Sequence, residues 1–248
     1  MPAEKTDAVV IRLADFSESS KVVTLFTRDF GKVAALAKGA KRLKSSFEAA
    51  LDLLAECRVV FLRRSSSGLD LLTESQLISR FRPNSRNLSS LYHGYYLAEL
   101  LDGLTEDYDP HPTLYDAAVS TLGLLSGEGD SRLALVKFEL TLLREIGHLP
   151  DFEECVVCGR PIALGDTARL WVSQGGLICS GCGRPQYEHT EVEAETVAVL
   201  RRLTCGSDEA WQRLSVSQRQ FRELRGLLNS QVSHILERRP RMLKYLSF

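Results

Sequence analysis

The chain has 248 residues, of which 44% are hydrophobic and 25% are charged, and its formal net charge is -1. This composition is typical of soluble globular proteins and suffices for one large domain or two to three small ones. The sequence predicts no membrane-spanning segment, because no apolar run approaches the length needed to cross a bilayer. Residues 1–15 also lack the apolar core and cleavage site of a secretory signal, which predicts a cytoplasmic protein.

The charge is divided unevenly along the chain. Residues 1–86 contain 15 lysines and arginines against 10 acidic residues, whereas residues 87–248 contain 16 against 22. A basic N-terminal third joined to an acidic remainder indicates an anionic partner for the first part of the chain.

Short apolar segments separated by turn residues predict five β-strands in the first eighty residues. Five short strands in a basic segment fit a small barrel such as an OB-fold. Ser65–Gly68 is predicted to connect the last two strands as a hairpin, and Glu48–Glu56 fits either a short helix or an irregular strand. The predicted strands are Thr6–Leu13, Lys21–Thr27, Lys32–Ala37, Cys57–Arg63 and Leu69–Ser75.

The stretch from Gly31 to Phe47 is rich in cations and contains no acidic residue. It does not match the Walker A pattern, because Gly39 is followed by alanine. The main sequence evidence for a nucleotide-hydrolysing protein is therefore absent. A strand followed by a basic loop can instead follow nucleic-acid phosphates without reading base sequence. An ordinary solvated loop explains the composition equally well. The candidate DNA-binding residues are Lys32, Lys38, Lys41, Arg42 and Lys44, with Arg63 and Arg64 at the next hairpin.

Helical periodicity replaces the strand pattern after residue 83. Asn87 is a plausible N-cap for the first helix, and Asp109–Pro112 is predicted to stop it. Thr190–Glu193 and Ser217–Gln220 both fit the capping-box pattern of a helix start. The apolar stripes of the predicted helices lie at Leu97–Leu104, Leu135–Ile146 and Phe221–Ile235.

Two CxxC motifs, each followed by glycine, are separated by twenty residues. Together they supply four thiolates, the number of ligands that tetrahedral Zn²⁺ needs, and they leave no open position for catalysis. We therefore predict a structural zinc site, with reducible disulfides or free thiols as the alternative. Arg169–Val172 and Gly176–Cys179 fit a hairpin between the motifs, and Cys57 and Cys205 are predicted to be buried or incidental. The predicted metal ligands are Cys155, Cys158, Cys179 and Cys182.

No motif typical of an enzyme is present, and we predict a protein without catalytic activity. The five histidines are scattered, without the spacing of a metalloprotease or the nucleophile elbow of a hydrolase. Four phenylalanines are candidates for stacking on nucleic-acid bases, although most are expected in the core. They are Phe16, Phe26, Phe30 and Phe47.

The run Phe16–Val33, continued by Ala37–Arg42 and Lys44–Phe47, resembles the N-terminal domain of the bacterial recombination mediator family RecO. The resemblance extends over the whole chain, through the cysteine motifs to the closing segment Leu236–Leu246. It implies an α+β multidomain fold. A basic, DNA-binding OB-fold β-barrel at 1–82 would precede an α-helical domain at 83–248, which carries a zinc-ribbon-like module at about 150–188.

The resemblance also implies a role in DNA repair and recombination through the RecF pathway. The protein would bind single- and double-stranded DNA, anneal complementary strands and help load RecA with RecR. It would contact RecR and the acidic C-terminal tail of the single-stranded DNA-binding protein, meet RecA only indirectly, and lie in the cytoplasm at the nucleoid, away from membranes. By position, the DNA-contacting surface of the family would include Lys38, Lys41, Arg42 and Lys44.

Two other classes of function stay open on the residues alone. One is a zinc-ribbon adaptor that binds another protein and has no intrinsic DNA affinity. The other is an enzyme with an unrecognised site, although no group of catalytic residues in the sequence supports this possibility.

Overall fold

The computed structural model divides the chain into two compact units. The barrel unit comprises Met1–Gly129 with Arg241–Leu246, and the sheet-and-helix unit comprises Asp130–Pro240 with Ser247–Phe248. The structure describes residues 3–42, 45, 47, 50–64, 68–83, 88–127, 131–163, 165–184, 190–205 and 209–246. Among these residues, no helix is both long enough and apolar enough to span a bilayer.

The barrel unit begins with five strands close to the predicted positions. They are β1 (Ala3–Asp15), β2 (Lys21–Thr27), β3 (Gly31–Ala37), β4 (Glu56–Leu62) and β5 (Asp70–Ser79). They close into a barrel in the order β1-β2-β3-β5-β4, in which only β3 and β5 pair in parallel. The predicted N-terminal OB-fold barrel is therefore confirmed.

The two uncertain connections of the barrel have different outcomes. The antiparallel pairing of β4 with β5 agrees with the predicted hairpin, although its tip at 65–67 lies outside the described residues. The described residues 50–55 form turns and bends, so they are neither the short helix nor the irregular strand that the sequence suggested.

Alternation along the strands fills the barrel with small and branched side chains. Along β3, Val33 and Ala35 are fully buried while their neighbours are half-buried, which is the period of two expected of a half-covered strand. Val23 and Leu25 of β2 and Phe61 of β4 pack into the same interior cluster. The barrel interior is thus a packed core, and any ligand surface lies on its outside.

Helix α1 (Leu88–Leu104) follows the barrel and confirms the predicted leucine stripe. Leu97, Leu100 and Leu101 are fully buried. The predicted N-cap Asn87 lies outside the described residues. The stripe exists because residues three and four apart share one face of a helix.

The end of α1 differs from the prediction. The helix stops at Leu104, before the predicted stop at Asp109–Pro112, and Pro112 instead begins helix α2 (Pro112–Ser126), which the sequence pattern did not reveal. Proline is tolerated in the first turn of a helix because its missing N–H would have no intrahelical partner there.

The C-terminal segment of the chain returns to the barrel unit. A short 3-10 helix at Arg241–Tyr245 packs on α1, where the carboxylate of Glu99 accepts hydrogen bonds from the amides of Arg241 and Met242 at 2.7 and 2.9 Å. A carboxylate at the start of a helical turn satisfies amides that have no partner within the turn.

The sheet-and-helix unit packs three helices against a four-stranded sheet. The helices are α3 (Arg132–Glu145), α4 (Ala194–Thr204) and α5 (Gln218–Ile235), and the strands are β6 (Asp151–Cys155), β7 (Ala168–Trp171), β8 (Gly176–Cys179) and β9 (Thr190–Val192). The sheet order is β6-β8-β7-β9, and the antiparallel pair β7-β8 is the predicted hairpin. Side chains of all three helices and of the sheet form one buried cluster.

The two predicted capping boxes have opposite outcomes. Ser217 caps α5 as predicted. Its hydroxyl accepts a hydrogen bond from the amide of Gln220, and the side-chain oxygen of Gln220 accepts one from the amide of Ser217. At Thr190–Glu193 the prediction was wrong, because this segment pairs with β7 as a strand and α4 begins only at Ala194. Sheet pairing there overrides the local capping pattern.

A buried ion pair links two helices of this unit. The Arg225 guanidinium on α5 donates to both carboxylate oxygens of Glu139 on α3, and the side chains are 4% and 0% exposed. Asn229 also accepts from Arg225, at 2.7 Å. Charges this deeply buried are tolerated in proteins only when they are paired and hydrogen-bonded.

Candidate metal centre and candidate nucleic-acid interface

Four cysteine sulfurs converge where β6 and β8 end. These two strands are parallel neighbours, so the CxxC turns that follow them meet at the same end of the sheet. The Sγ atoms of Cys155, Cys158, Cys179 and Cys182 all lie within 4.8 Å of one another, and those of Cys158 and Cys179 are 3.9 Å apart. Metal–sulfur bonds of about 2.3 Å in a tetrahedron place the sulfurs about 3.8 Å apart. The cluster can therefore hold a metal ion.

Hydrogen bonds give the sulfurs of the cluster unequal acidities. Burial opposes ionisation of Cys155, but the amides of Cys179, Cys158 and Val157 donate to its sulfur, and the net effect lowers its pKa to about 6. The thiol of Cys182 instead shares its proton with the sulfurs of Cys158 and Cys179, which raises its pKa to about 12. A metal ion binds thiolates and displaces such protons, so the cluster has the chemistry of a metal site.

Arg201 of α4 supports the first cysteine turn, and no sequence signal identified it. Its guanidinium donates to the carbonyls of Phe152, at 2.7 and 2.8 Å, and of Ile162, at 2.7 Å, and it pairs with Glu153 at 3.2 Å. These partners lie on either side of the first CxxC motif, so Arg201 closes the loop that carries Cys155.

The remaining cysteines agree with their predicted structural roles. Cys57 is fully buried in the barrel, where burial raises the pKa of its thiol to about 11 and the thiol donates to the Ala50 carbonyl. Cys205 is exposed directly after α4. Over the described ranges, no other group of three or more His, Cys, Asp and Glu side chains is close enough to hold an ion.

Among the described cations of the predicted basic stretch, Lys38 and Arg42 are exposed and form no ion pair with any other described residue, and we name these two residues the basic rim. Arg42 folds back over Gly39, whose φ of +75° makes the turn that brings the two cations together. Lys44 lies outside the described residues.

Lys41 joins the basic loop to the loop between β1 and β2. Its ammonium group lies 2.9 Å from the carboxylate of Asp15 and donates to the carbonyl of Ser17 at 3.0 Å, and its side chain is 25% exposed. The hydrogen bond from Lys41 holds the pKa of the Asp15 carboxyl below its usual range. Lys41 therefore positions the loop that carries the basic rim.

Lys32 lies apart from the basic rim, beneath the end of α1. Its ammonium group donates to the carbonyls of Asp102 and Thr105 at 2.8 and 2.6 Å and lies 3.8 Å from Asp107, and its side chain is 14% exposed. The last carbonyls of a helix have no intrahelical partner and carry partial negative charge, so a cation there acts as a cap. Lys32 is therefore part of the contact between β3 and α1, not of an exposed surface.

Arg63 and Arg64 directly follow β4, whose last residue, Leu62, lies opposite Leu71 of β5, and Leu71 in turn lies opposite Leu36 near the end of β3. Both arginines are exposed. The guanidinium of Arg63 lies 4.0 Å from the ring centre of Tyr108, whose amide donates to the Lys32 carbonyl. By this register the two arginines and the basic rim lie toward the same end of β3, with β5 between β3 and β4.

Apart from Lys32, the outer face of β2 and β3 carries no charge. Val22 lies opposite Leu36 and Thr24 opposite Ala34, and all four are half-buried on the side away from the barrel core. In OB-folds this face and the loops β1–β2 and β4–β5 bind oligonucleotides. A neutral strand face with exposed cations beyond the ends of β3 and β4 suits an extended anionic polymer.

Two family descriptions match the chain in succession. Residues 1–81 match "Recombination protein O N terminal", and residues 85–244 match "Recombination protein O C terminal". The chain belongs to the RecO family. The resemblance drawn from Phe16–Phe47 and the cysteine motifs is therefore confirmed, and the observed barrel agrees with a RecO N-terminal domain.

Curated relatives extend this likeness over nearly the whole chain. A DNA repair protein RecO of Rhodopirellula baltica is 38% identical, over 96% of this chain and 97% of the relative. Those of Anaeromyxobacter dehalogenans and Myxococcus xanthus are 33% and 31% identical, over 99% and 97% of this chain and 96% of each relative. The RecO relatives thus match this chain over nearly the whole of both lengths.

Proposed function

We propose that this chain is a DNA-binding recombination mediator of the RecF pathway of DNA repair. It binds single- and double-stranded DNA through residues 1–82, anneals complementary strands and helps load RecA with RecR. The observation that carries this proposal is the basic rim, two exposed cations on a loop that Lys41 fixes beside an OB-fold barrel. Arg63 and Arg64 extend the same DNA surface, while Lys32 serves the fold.

Annealing follows from charge neutralisation. Two DNA strands repel each other through their phosphates, and cations that replace condensed counterions lower this barrier. Base pairing then supplies the sequence specificity, so the protein needs no contacts with base edges. In this scheme the protein hydrolyses no nucleotide and is not an enzyme.

The four-cysteine cluster holds a structural Zn²⁺ in this proposal. Four sulfur ligands in a tetrahedron are typical of structural zinc and leave no position for a catalytic water. Cys155 belongs to the buried cluster that the sheet shares with α3, α4 and α5, so the metal, held in a zinc module at about 150–188, would stabilise the sheet-and-helix unit.

The proposed partners follow from membership of the family. They are RecR, the C-terminal tail of the single-stranded DNA-binding protein and, indirectly, RecA. Binding to DNA places the protein in the cytoplasm at the nucleoid, with no role for a membrane.

Fluorescence anisotropy across a salt series tests the DNA-binding proposal. Labelled single-stranded and duplex oligonucleotides of several base sequences are titrated with the wild type and with Lys38→Gln/Arg42→Gln. Each cation lost should lower the slope of log K against log[salt] by roughly 0.7 on single strands and 0.9 on duplex, equally for all sequences.

A matched control removes two exposed arginines from the other unit. Arg213→Gln/Arg222→Gln has the same change of charge, and its salt slope should equal that of the wild type. Equal slopes for the rim variant and the wild type would remove the basic rim from the DNA site. Absence of wild-type binding even at low salt would reject the proposal.

A zinc-ribbon adaptor is the second candidate function. The observation that favours it is the first cysteine turn, where Val156 and Val157 are 39% and 47% exposed. Adjacent exposed valines on a rigid turn suit contact with another protein. This function predicts negligible DNA affinity at moderate salt, so the same titration decides between the two.

A further inference from the structure

An exposed phenylalanine lies next to the basic rim. Phe16, the first residue of the loop between β1 and β2, is 61% exposed. Of the three other phenylalanines named from the sequence, Phe26 and Phe47 are buried, and Phe30 is half-buried and packs edge-on against Phe61. Phe16 is thus the only one of the four rings that is exposed.

The loop that carries Phe16 is held in a fixed conformation. The amides of Phe16 and Ser17 both donate to the carbonyl of Ser20, at 3.1 and 3.2 Å, and the Ser20 amide donates to the Ser17 hydroxyl at 3.1 Å. Three hydrogen bonds within five residues close the loop on itself. The ring is therefore presented by a rigid turn, which reduces the entropy lost when a ligand binds.

Lys41 joins this turn to the basic loop. Its ammonium group binds both neighbours of Phe16, the carboxylate of Asp15 and the carbonyl of Ser17, and its amide donates to the Ser19 carbonyl at 3.0 Å. The same short loop carries Lys38 and Arg42. Phe16 and the basic rim are consequently held together by one lysine.

The charges of the turn indicate which part of a nucleic acid meets it. Lys41 neutralises Asp15, but Glu18 is exposed at the tip and repels phosphates. Phosphates are thus directed to Lys38 and Arg42, and the group beside Phe16 must be uncharged and flat. A nucleobase fits this description.

We propose that Phe16 stacks on an unpaired base of single-stranded DNA while the basic rim binds the adjacent phosphates. Stacking needs a free face of the base, and in a duplex both faces are already covered by neighbouring bases. Phe16 thereby gives the site a preference for single strands that cations alone cannot provide. This inference rests on the proposed DNA-binding function and adds the ligand group that the turn selects.

The test compares Phe16→Ala, Phe16→Leu and Phe16→Trp by anisotropy on single-stranded and duplex DNA. Leucine keeps an apolar side chain but has no aromatic face, whereas tryptophan keeps the face. We expect the alanine and leucine variants to lose about tenfold in single-strand affinity, with the salt slope unchanged and duplex affinity within about twofold. The tryptophan variant should bind like the wild type.

Tryptophan fluorescence gives a direct readout of stacking. The signal of Phe16→Trp should be quenched by single-stranded DNA and much less by duplex, after subtraction of the wild-type signal from Trp171 and Trp211. Circular dichroism confirms that each variant is folded, which is expected because the side chain is exposed.

The outcomes separate this inference from the function on which it rests. If rim substitutions lower the salt slope but Phe16→Ala binds single strands normally, stacking is rejected and DNA binding stands. Equal losses on single strands and duplex would also reject it. If the wild type binds neither DNA, both proposals fail.

Discussion

Replacement of Lys32 by methionine tests whether this cation serves the fold or the DNA surface. Methionine keeps most of the apolar stem and removes the ammonium group. The carbonyls of Asp102 and Thr105 then lose a charged donor at 2.8 and 2.6 Å. The nearby Asp107 is 68% exposed at its side chain, so its loss as an ion-pair partner adds little.

The magnitude follows from these two hydrogen bonds. A hydrogen bond to a charged group contributes about 1.5–3 kcal/mol, and we take the lower value for each because water can partly replace the donor at the end of a helix. Lys32→Met should therefore destabilise the barrel unit by about 3 kcal/mol. For a unit of this size, that corresponds to a fall in Tm of roughly 10 °C.

Thermal unfolding followed by circular dichroism and the anisotropy salt series are measured on the same variant. We expect a lower Tm and, at a temperature where the variant is folded, the wild-type salt slope. Lys38→Met is the matched control, since it removes an exposed cation six residues along the chain. It should change stability by no more than about 0.5 kcal/mol and lower the salt slope. A wild-type Tm with a reduced slope for Lys32→Met would refute the capping role.

Two further predictions concern the sheet-and-helix unit. Cys155→Ser should lose the proposed metal, measured by elemental analysis, and unfold at lower urea. Because we propose a structural role for the metal, the DNA affinity of the folded variant should stay within about twofold of wild type. The exposed Cys205→Ser should keep the metal, and a folded, metal-free variant that had selectively lost DNA binding would contradict this prediction. Arg225→Met should cost about 3–5 kcal/mol in urea unfolding because Glu139 stays buried without its cation. Arg225→Met/Glu139→Leu should recover part of this loss. A loss in the double variant equal to the sum of the losses in Arg225→Met and Glu139→Leu would show that the two charges are not coupled.

Features with a local cause were readable from the sequence. The five barrel strands follow from apolar segments cut by turns, and the cap at Ser217 follows from a pattern four residues long. The four candidate metal ligands follow from two CxxC turns, whose tight geometry is contained in each motif. The strand at Thr190–Val192 shows the limit of such reasoning, because its pairing with β7 outweighed the local capping-box pattern.

The candidate DNA surface could be read from the sequence only as a group of cations. Composition placed Lys32, Lys38 and Lys41 in one group. In the structure Lys32 caps a helix, Lys38 is exposed and Lys41 fixes a loop. The partners that decide this are distant in the chain: Lys32 bonds to Asp102, 70 residues away, and Lys41 to Ser17, 24 residues away.

The sequence by itself thus determined the family, the barrel and the cysteine cluster, since periodicity, turn chemistry and short motifs are properties of neighbouring residues. Only the tertiary structure decided which cations are free to meet an anion and that Phe16 is exposed beside them. Exposure and pairing depend on which distant segments pack together, and side chains of the same type in the same stretch carry no local mark of that choice.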